Sequence, residues 1–302
     1  MSFNKILKQY AQAPPQTQSL REVVSQSQGH THLSGLQGSA FTIAASSIFD
    51  EVEKPFMVIA NDKEQAAYIL NDFEKMLGDD RVLFYPGSYR RPYQIEKTDN
   101  ANVLLRAEVL NRINSRKKPA VIVTYPNALF EKVVTRKELE KNTLKIAVGD
   151  QISIDFANEV LFEYEFKRVD FVTEPGEFSV RGGILDVFSF SHDEPYRIEF
   201  FGNEIDTIRV FDVETQLSKE QIKKISIIPN VEHKKLEENR ESFLQYLSNK
   251  TVIFAENVEL LYSNLDTLFA KQNRRIASCR VKSDNYYLQK YFVTLPLLKS
   301  NL

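Results

Sequence analysis

Between residues 41 and 125 the apolar positions switch repeatedly between two periods. Residues 41–52 carry a helix-like apolar run. Pro55-Phe56-Met57-Val58-Ile59-Ala60 is then almost continuously apolar between Pro and Asn, the pattern of a strand buried on both faces. Asn61-Asp62 supplies a cap, after which Ala67, Leu70, Phe73 and Leu77 recur at helical spacing over residues 64–77. Arg81-Val82-Leu83-Phe84-Tyr85 predicts the next strand, residues 100–114 a helix, and Ala120-Val121-Ile122-Val123-Thr124 a third strand. Strands alternating with helices of this length predict right-handed βαβ units and a mostly parallel sheet. Two weaker helices are expected upstream, over residues 4–12 and 19–26, the first ended by Pro14-Pro15.

From about Gln151 the period becomes two. Phe178-Ser179-Val180-Arg181 runs through Gly182-Gly183 into Ile184-Leu185-Asp186-Val187-Phe188, and residues 196–200 and 205–211 flank the hairpin signal Gly202-Asn203. Before that turn, Tyr196, Ile198 and Phe200 share one face, and Arg197 and Glu199 share the other. An antiparallel sheet with one wet face is expected. After Ile225-Ser226-Ile227-Ile228-Pro229 the first pattern returns, with a helix over residues 236–247, a strand over 251–255 and a helix over 257–269. The expected fold is an α/β domain split between residues 1–125 and 226–302, with an α+β module containing the antiparallel sheet inserted at 126–225.

Composition narrows the function. At 302 residues the chain has room for about two domains, and 42% hydrophobic residues suffice for a sizeable core. A net charge of −2 removes any whole-chain case for coating nucleic acid or a membrane surface. One cysteine, Cys279, cannot form an internal disulfide, so a reducing cytoplasm is expected. No apolar run approaches a membrane span, and residues 1–10 lack a signal-peptide core.

The candidate chemistry begins at Gly35-Leu36-Gln37-Gly38-Ser39-Ala40-Phe41-Thr42, which fits the frame of a phosphate-binding loop, G-x-x-x-x-G-K-[ST], with its working parts replaced. Gly35 and Thr42 hold the end positions, but Ala40 stands for the second glycine and Phe41 for the lysine. Gly38 adds a further turn residue. A Gly-rich turn before a helix explains the octet equally well, and either reading predicts no nucleotide hydrolysis. The strand ending at Val123 is followed by Thr124-Tyr125-Pro126 with no carboxylate for Mg²⁺, while Glu256 after Ile253-Phe254-Ala255 reads as a neighbour of a helix cap. His30 and His32 have no partner ligands at metal spacing. No cofactor or metal is expected.

Four features converge on one family. They are the altered loop, the Tyr-rich segment from Phe84 to Tyr93, the run from Arg168-Val169-Asp170 to Gly182, and Ile198-Glu199-Phe200-Phe201-Gly202-Asn203-Glu204-Ile205-Asp206-Thr207-Ile208-Arg209. Together they resemble the N-terminal, UvrB-like region of bacterial transcription–repair coupling factors (Mfd), over nearly the whole chain. The R-G-G-I-L-D-V-F and F-F-G-N-E-I-D-x-I-R runs are the most specific. The excision-repair helicase UvrB shares them but keeps the loop lysine, so Phe41 favours the coupling factors.

The resemblance implies a degenerate, split P-loop NTPase-like domain carrying a module that docks UvrA, the damage-recognition ATPase, and brings it to stalled RNA polymerase. It implies that RNA polymerase and DNA are engaged, and ATP used, by parts further along a longer protein, and that a C-terminal domain covers the β module until activation. The chain itself is then not an enzyme. By the same resemblance Arg181, directly before Gly182-Gly183, and Arg168 contact UvrA, with Phe178 and Phe188 as apolar neighbours. Arginine forks and aromatics suit such a surface. From the residues alone, Arg181 and Arg168 can equally pair with Glu177 or Asp170, Phe188 can be core, and Lys167 can replace Arg168. The alternative function is a residual nucleotide- or DNA-binding helicase half. It rests on Gly35, Thr42 and the short basic clusters Arg90-Arg91, Arg116-Lys117-Lys118 and Arg274-Arg275.

Overall fold

The continuous apolar runs pair with one another in parallel. A computed structural model describes residues 15–25, 31–88, 100–114, 118–190, 192, 194–231 and 240–278. In it Phe56–Ile59, Val82–Tyr85, Val121–Thr124 and Val252–Ala255 form one all-parallel sheet, in the order 252–255, 56–59, 121–124, 82–85. The two inner strands, Phe56–Ile59 and Val121–Thr124, are buried at every residue, which is why their sequences do not alternate. Phe56 meets Phe49 of helix Ala40–Val52 and Phe254 of the neighbouring strand, at ring separations of 5.0 and 5.2 Å. Helix Lys63–Leu77 starts where Asp62 accepts the Gln65 N–H.

Two expectations near the ends of the chain need correction. The helix expected over residues 19–26 begins earlier, as Pro15–Ser25, with Pro15 at a position whose N–H would have no partner anyway. Of the helix expected over residues 236–247, the described part is instead a strand, Arg240–Ser242, followed by one helical turn, Phe243–Tyr246. Ser242 caps that turn through Leu244, and Phe243 stacks on Tyr85 at 3.7 Å, so packing overrides the helical spacing. The last described helix, Val258–Ser278, outruns its expected end at 269. The helix expected over residues 4–12 lies outside the described residues.

The chain divides into two units: Met1–Gly87, Arg116–Lys132 and Ser242–Leu302 in the first, Ser88–Ser115 and Val133–Glu241 in the second. The second holds a six-stranded sheet in the order 218–222, 204–211, 196–201, 184–187, 177–181, 167–168. All its pairings are antiparallel except the last, where Lys167–Arg168 runs parallel to Glu177–Arg181. Leu144–Ala147 pairs with Lys224–Ile227 in a separate two-stranded sheet, so the unit runs past residue 225. Helix Asn100–Asn114, expected in the α/β domain, groups with this unit, and Pro126–Phe130 groups with the first. Gly176 is required here: its φ is 89°, and a Cβ would lie 2.8 Å from the Phe190 ring. Among the described residues no helix is long and apolar enough to cross a membrane.

Candidate functional site

In the first unit the last two positions of the altered loop turn inward. Gly35 and Gly38 take positive φ, 81° and 55°, but Ala40 is the first helical residue, and residues 31–34 form no strand before the loop. Phe41 packs edge-on against Phe73 and Phe254 at 6.2 and 5.2 Å, so the lysine position belongs to an aromatic cluster. The Thr42 hydroxyl donates to the Ser39 carbonyl at 2.8 Å and lies 3.3 Å from Asp72 Oδ2. At the strand end where a Mg²⁺-binding carboxylate would stand, the Thr124 hydroxyl donates to the Tyr85 carbonyl at 2.8 Å. Glu256 accepts from Asn61 Nδ2 at 3.0 Å. His32 is exposed, and among the described residues no three or more His, Cys, Asp or Glu side chains gather as a metal site.

The second unit gathers charge instead. Two rows cross its sheet on one face: Ser179, Asp186, Arg197 and Arg209, then Arg181, Ile184, Glu199 and Thr207. Asp186 is at the centre, with its side chain 1% exposed. Arg197 grips it with both prongs, Nε to Oδ1 at 2.7 Å and a terminal nitrogen to Oδ2 at 2.9 Å. The same guanidinium lies over Phe211 at 4.6 Å and donates to the Gln216 carbonyl at 3.1 Å. Its pKa is raised above the usual arginine value, chiefly by the hydrogen bond to Asp186 and against the effect of burial. Beside it Glu199 accepts from Arg209 and Thr207 at 3.0 and 2.9 Å.

Arg181 reaches the same carboxylate oxygen, Asp186 Oδ2, as the second guanidinium, and lies over Phe171 at 5.4 Å. Its side chain stays 43% exposed, and most of its five N–H donors bond to nothing in the described residues. Arg168, on the two-residue edge strand, is exposed and makes no ion pair with a described residue. Both line one open depression of about 470 Å³, together with Val169, Asp170, Phe171, Ser179 and Val180. Both border it from different faces of the sheet, because Arg168 is paired with Phe178 and Arg181 with Ile184.

The expected partners of these arginines are corrected. Glu177 turns away to accept the Thr173 and Glu174 N–H groups at 3.0 Å, and Asp186 is the partner of Arg181. Phe178 and Phe188 are corrected as well, because neither lies on the surface. Phe178 is fully buried with Phe162 edge-on at 5.2 Å, and Phe188 packs with Val172 and Phe211. Among the described aromatics of this unit the most exposed are Phe201, at 84%, and Phe171, at 60%. Continuing the alternation of Arg197 and Glu199 by one step would have put Phe201 on the wet face. Phe171 lies in a turn, where no period applies. Arg90, Arg91, Tyr93, Arg116, Lys117, His30 and Cys279 lie outside the described residues. Lys118 and Arg274 are exposed.

Comparison with known proteins places this face inside a matched domain. Residues 144–233 match the UvrB interaction domain. The transcription-repair-coupling factor of Bacillus subtilis is 34% identical over 198 residues, 65% of this chain but 17% of that protein. The Escherichia coli transcription-repair-coupling factor is 29% identical over 197 residues, again 17% of its length. The UvrABC system protein B of Thermotoga neapolitana is 28% identical over 239 residues, 74% of this chain and 36% of that protein. The chain thus matches the UvrB interaction domain over residues 144–233, and is similar over most of its length to transcription-repair-coupling factors and to UvrABC system protein B.

Proposed function

We propose that this chain is the part of a transcription–repair coupling factor that docks UvrA, and that it does so without catalysis of its own. The observation that carries this reading lies within the matched residues. Arg168 and Arg181 line one depression, and Arg181 is a second guanidinium on a carboxylate that Arg197 already binds. Two arginines share one carboxylate, so positive charge and unused donors remain for acidic groups of a partner. The exposed Phe171 adds the aromatic character that interface centres favour.

The first unit is, in this reading, a P-loop NTPase-like scaffold turned into a mount. Phe41 in its aromatic cluster and Thr42 bonded internally support the loss of phosphate binding. ATP-driven translocation on DNA and contact with RNA polymerase then belong to the remainder of the longer protein, and its C-terminal domain covers the β module until activation.

Calorimetric titration of UvrA into the chain tests the proposal. Arg181→Glu weakens binding by at least about 1–3 kcal/mol, the loss of a charged hydrogen bond, and leaves the melting transition in place. Undiminished affinity in a folded variant removes the site. Titration with ATP separates the alternative: binding at micromolar concentration would favour a residual nucleotide-binding helicase half.

A further inference from the structure

The sheet edge beside this face is unfinished. In a strand the N–H and C=O of one residue point to the same side, and that side alternates along the chain. Phe188 donates to the Glu177 carbonyl at 2.9 Å, on the inner side of Glu177–Arg181. Val169 donates to the Phe178 carbonyl at 2.9 Å, on the outer side. Val180, two residues beyond Phe178, therefore directs both of its backbone groups outward. The strand Lys167–Arg168 covers only residues 177 and 178. The chain then leaves the edge at Asp170, whose carbonyl accepts the Ser179 hydroxyl at 3.1 Å. The Val180 N–H and C=O bond to none of the described residues. This gap opens into the depression that Arg168, Asp170, Phe171 and Arg181 line.

We propose that the partner lays an extended segment into this gap, pairing antiparallel with Val180 and setting an acidic side chain against Arg181. In that pairing one partner residue exchanges both N–H···O bonds with Val180. The partner residue opposite Arg181 then projects to the same face as the guanidinium. The proposal rests on the reading that this face docks UvrA, and adds the shape and charge of what enters it.

The test is amide hydrogen exchange, read residue by residue in the ¹⁵N-labelled chain, alone and with saturating UvrA. The Val180 amide is expected to slow at least about tenfold in the complex, while Ser179 and Arg181, which face the inner strand, change less. A complex that Arg181→Glu weakens but that leaves the Val180 amide unchanged overturns the strand pairing and leaves the docking reading standing. Absence of any complex overturns both. A Val180 amide already slow in the isolated chain means another segment or a second copy fills the gap, and also overturns the pairing. Val180→Pro removes the N–H at an edge position that tolerates proline, and is expected to weaken binding about tenfold while unfolding stays cooperative. Full affinity in that variant counts against the pairing; should it fail to fold, the amide measurement decides.

Discussion

The two sheets of this chain bury themselves in opposite ways, and the difference decides where chemistry can be displayed. The inner strands of the parallel sheet are covered on both faces, so they leave no face for polar groups. Its chemistry would have to sit at strand ends and in the loop before helix Ala40–Val52, where Phe41 and Thr42 are turned inward. The antiparallel sheet covers one face and leaves the other wet. There an ion-pair ladder, Arg181–Asp186–Arg197 with Glu199–Arg209 beside it, carries charge on a rigid support. One unit thus turns its polar groups inward, and the other displays them on a sheet face.

The sharpest way to break this comparison is to remove the clamp on Asp186. Arg197→Ala leaves a carboxylate that is 1% exposed with only the edge-on help of Arg181, and is expected to cost about 3–5 kcal/mol in urea denaturation. A cost near zero would mean the ladder is ordinary surface. Phe41→Ala probes the other unit. It removes a half-buried ring from the cluster with Phe73 and Phe254, and should cost about 2 kcal/mol by the same measurement without creating ATP binding. A stability gain, or binding of nucleotide, would show that the loop had kept its older role.

Gly176→Ala tests the turn that leads into the site-bearing strand. It forces a Cβ into the Phe190 ring at positive φ and should lower the melting temperature in step with about 1–3 kcal/mol. The smallest expected effect is on Arg181. Arg181→Ala should change stability by less than about 1 kcal/mol, because its side chain is 43% exposed and Arg197 still holds Asp186. Set beside the binding loss expected for Arg181→Glu, that small cost separates a docking arginine from a structural one. A large stability loss would reverse the roles of Arg181 and Arg197.

Much of the scaffold was legible because burial leaves a simple imprint. The strand at Phe56–Ile59 and the helices Lys63–Leu77 and Asn100–Asn114 lie within a residue of their expected bounds. The region after Pro229 was not, because the helical spacing over residues 236–247 competes with packing of Phe243 on Tyr85, far away in the chain. In the site, Arg168 and Arg181 were named through a family resemblance and found lining one depression. Arg197 and Asp186, which organise it, were not singled out. Their pairing needs the register of two hairpins, Asp186 opposite both Ser179 and Arg197.

Local periodicity alone determined that this chain holds a doubly covered parallel sheet and a one-sided antiparallel one, because apolar spacing is set by which faces meet water. Only the tertiary structure decided which arginine is clamped, which shares the same carboxylate while staying part-exposed, and that the edge stops short beside Val180. Those outcomes depend on strand neighbours that lie far apart in sequence, and no local pattern encodes where a strand will end against them.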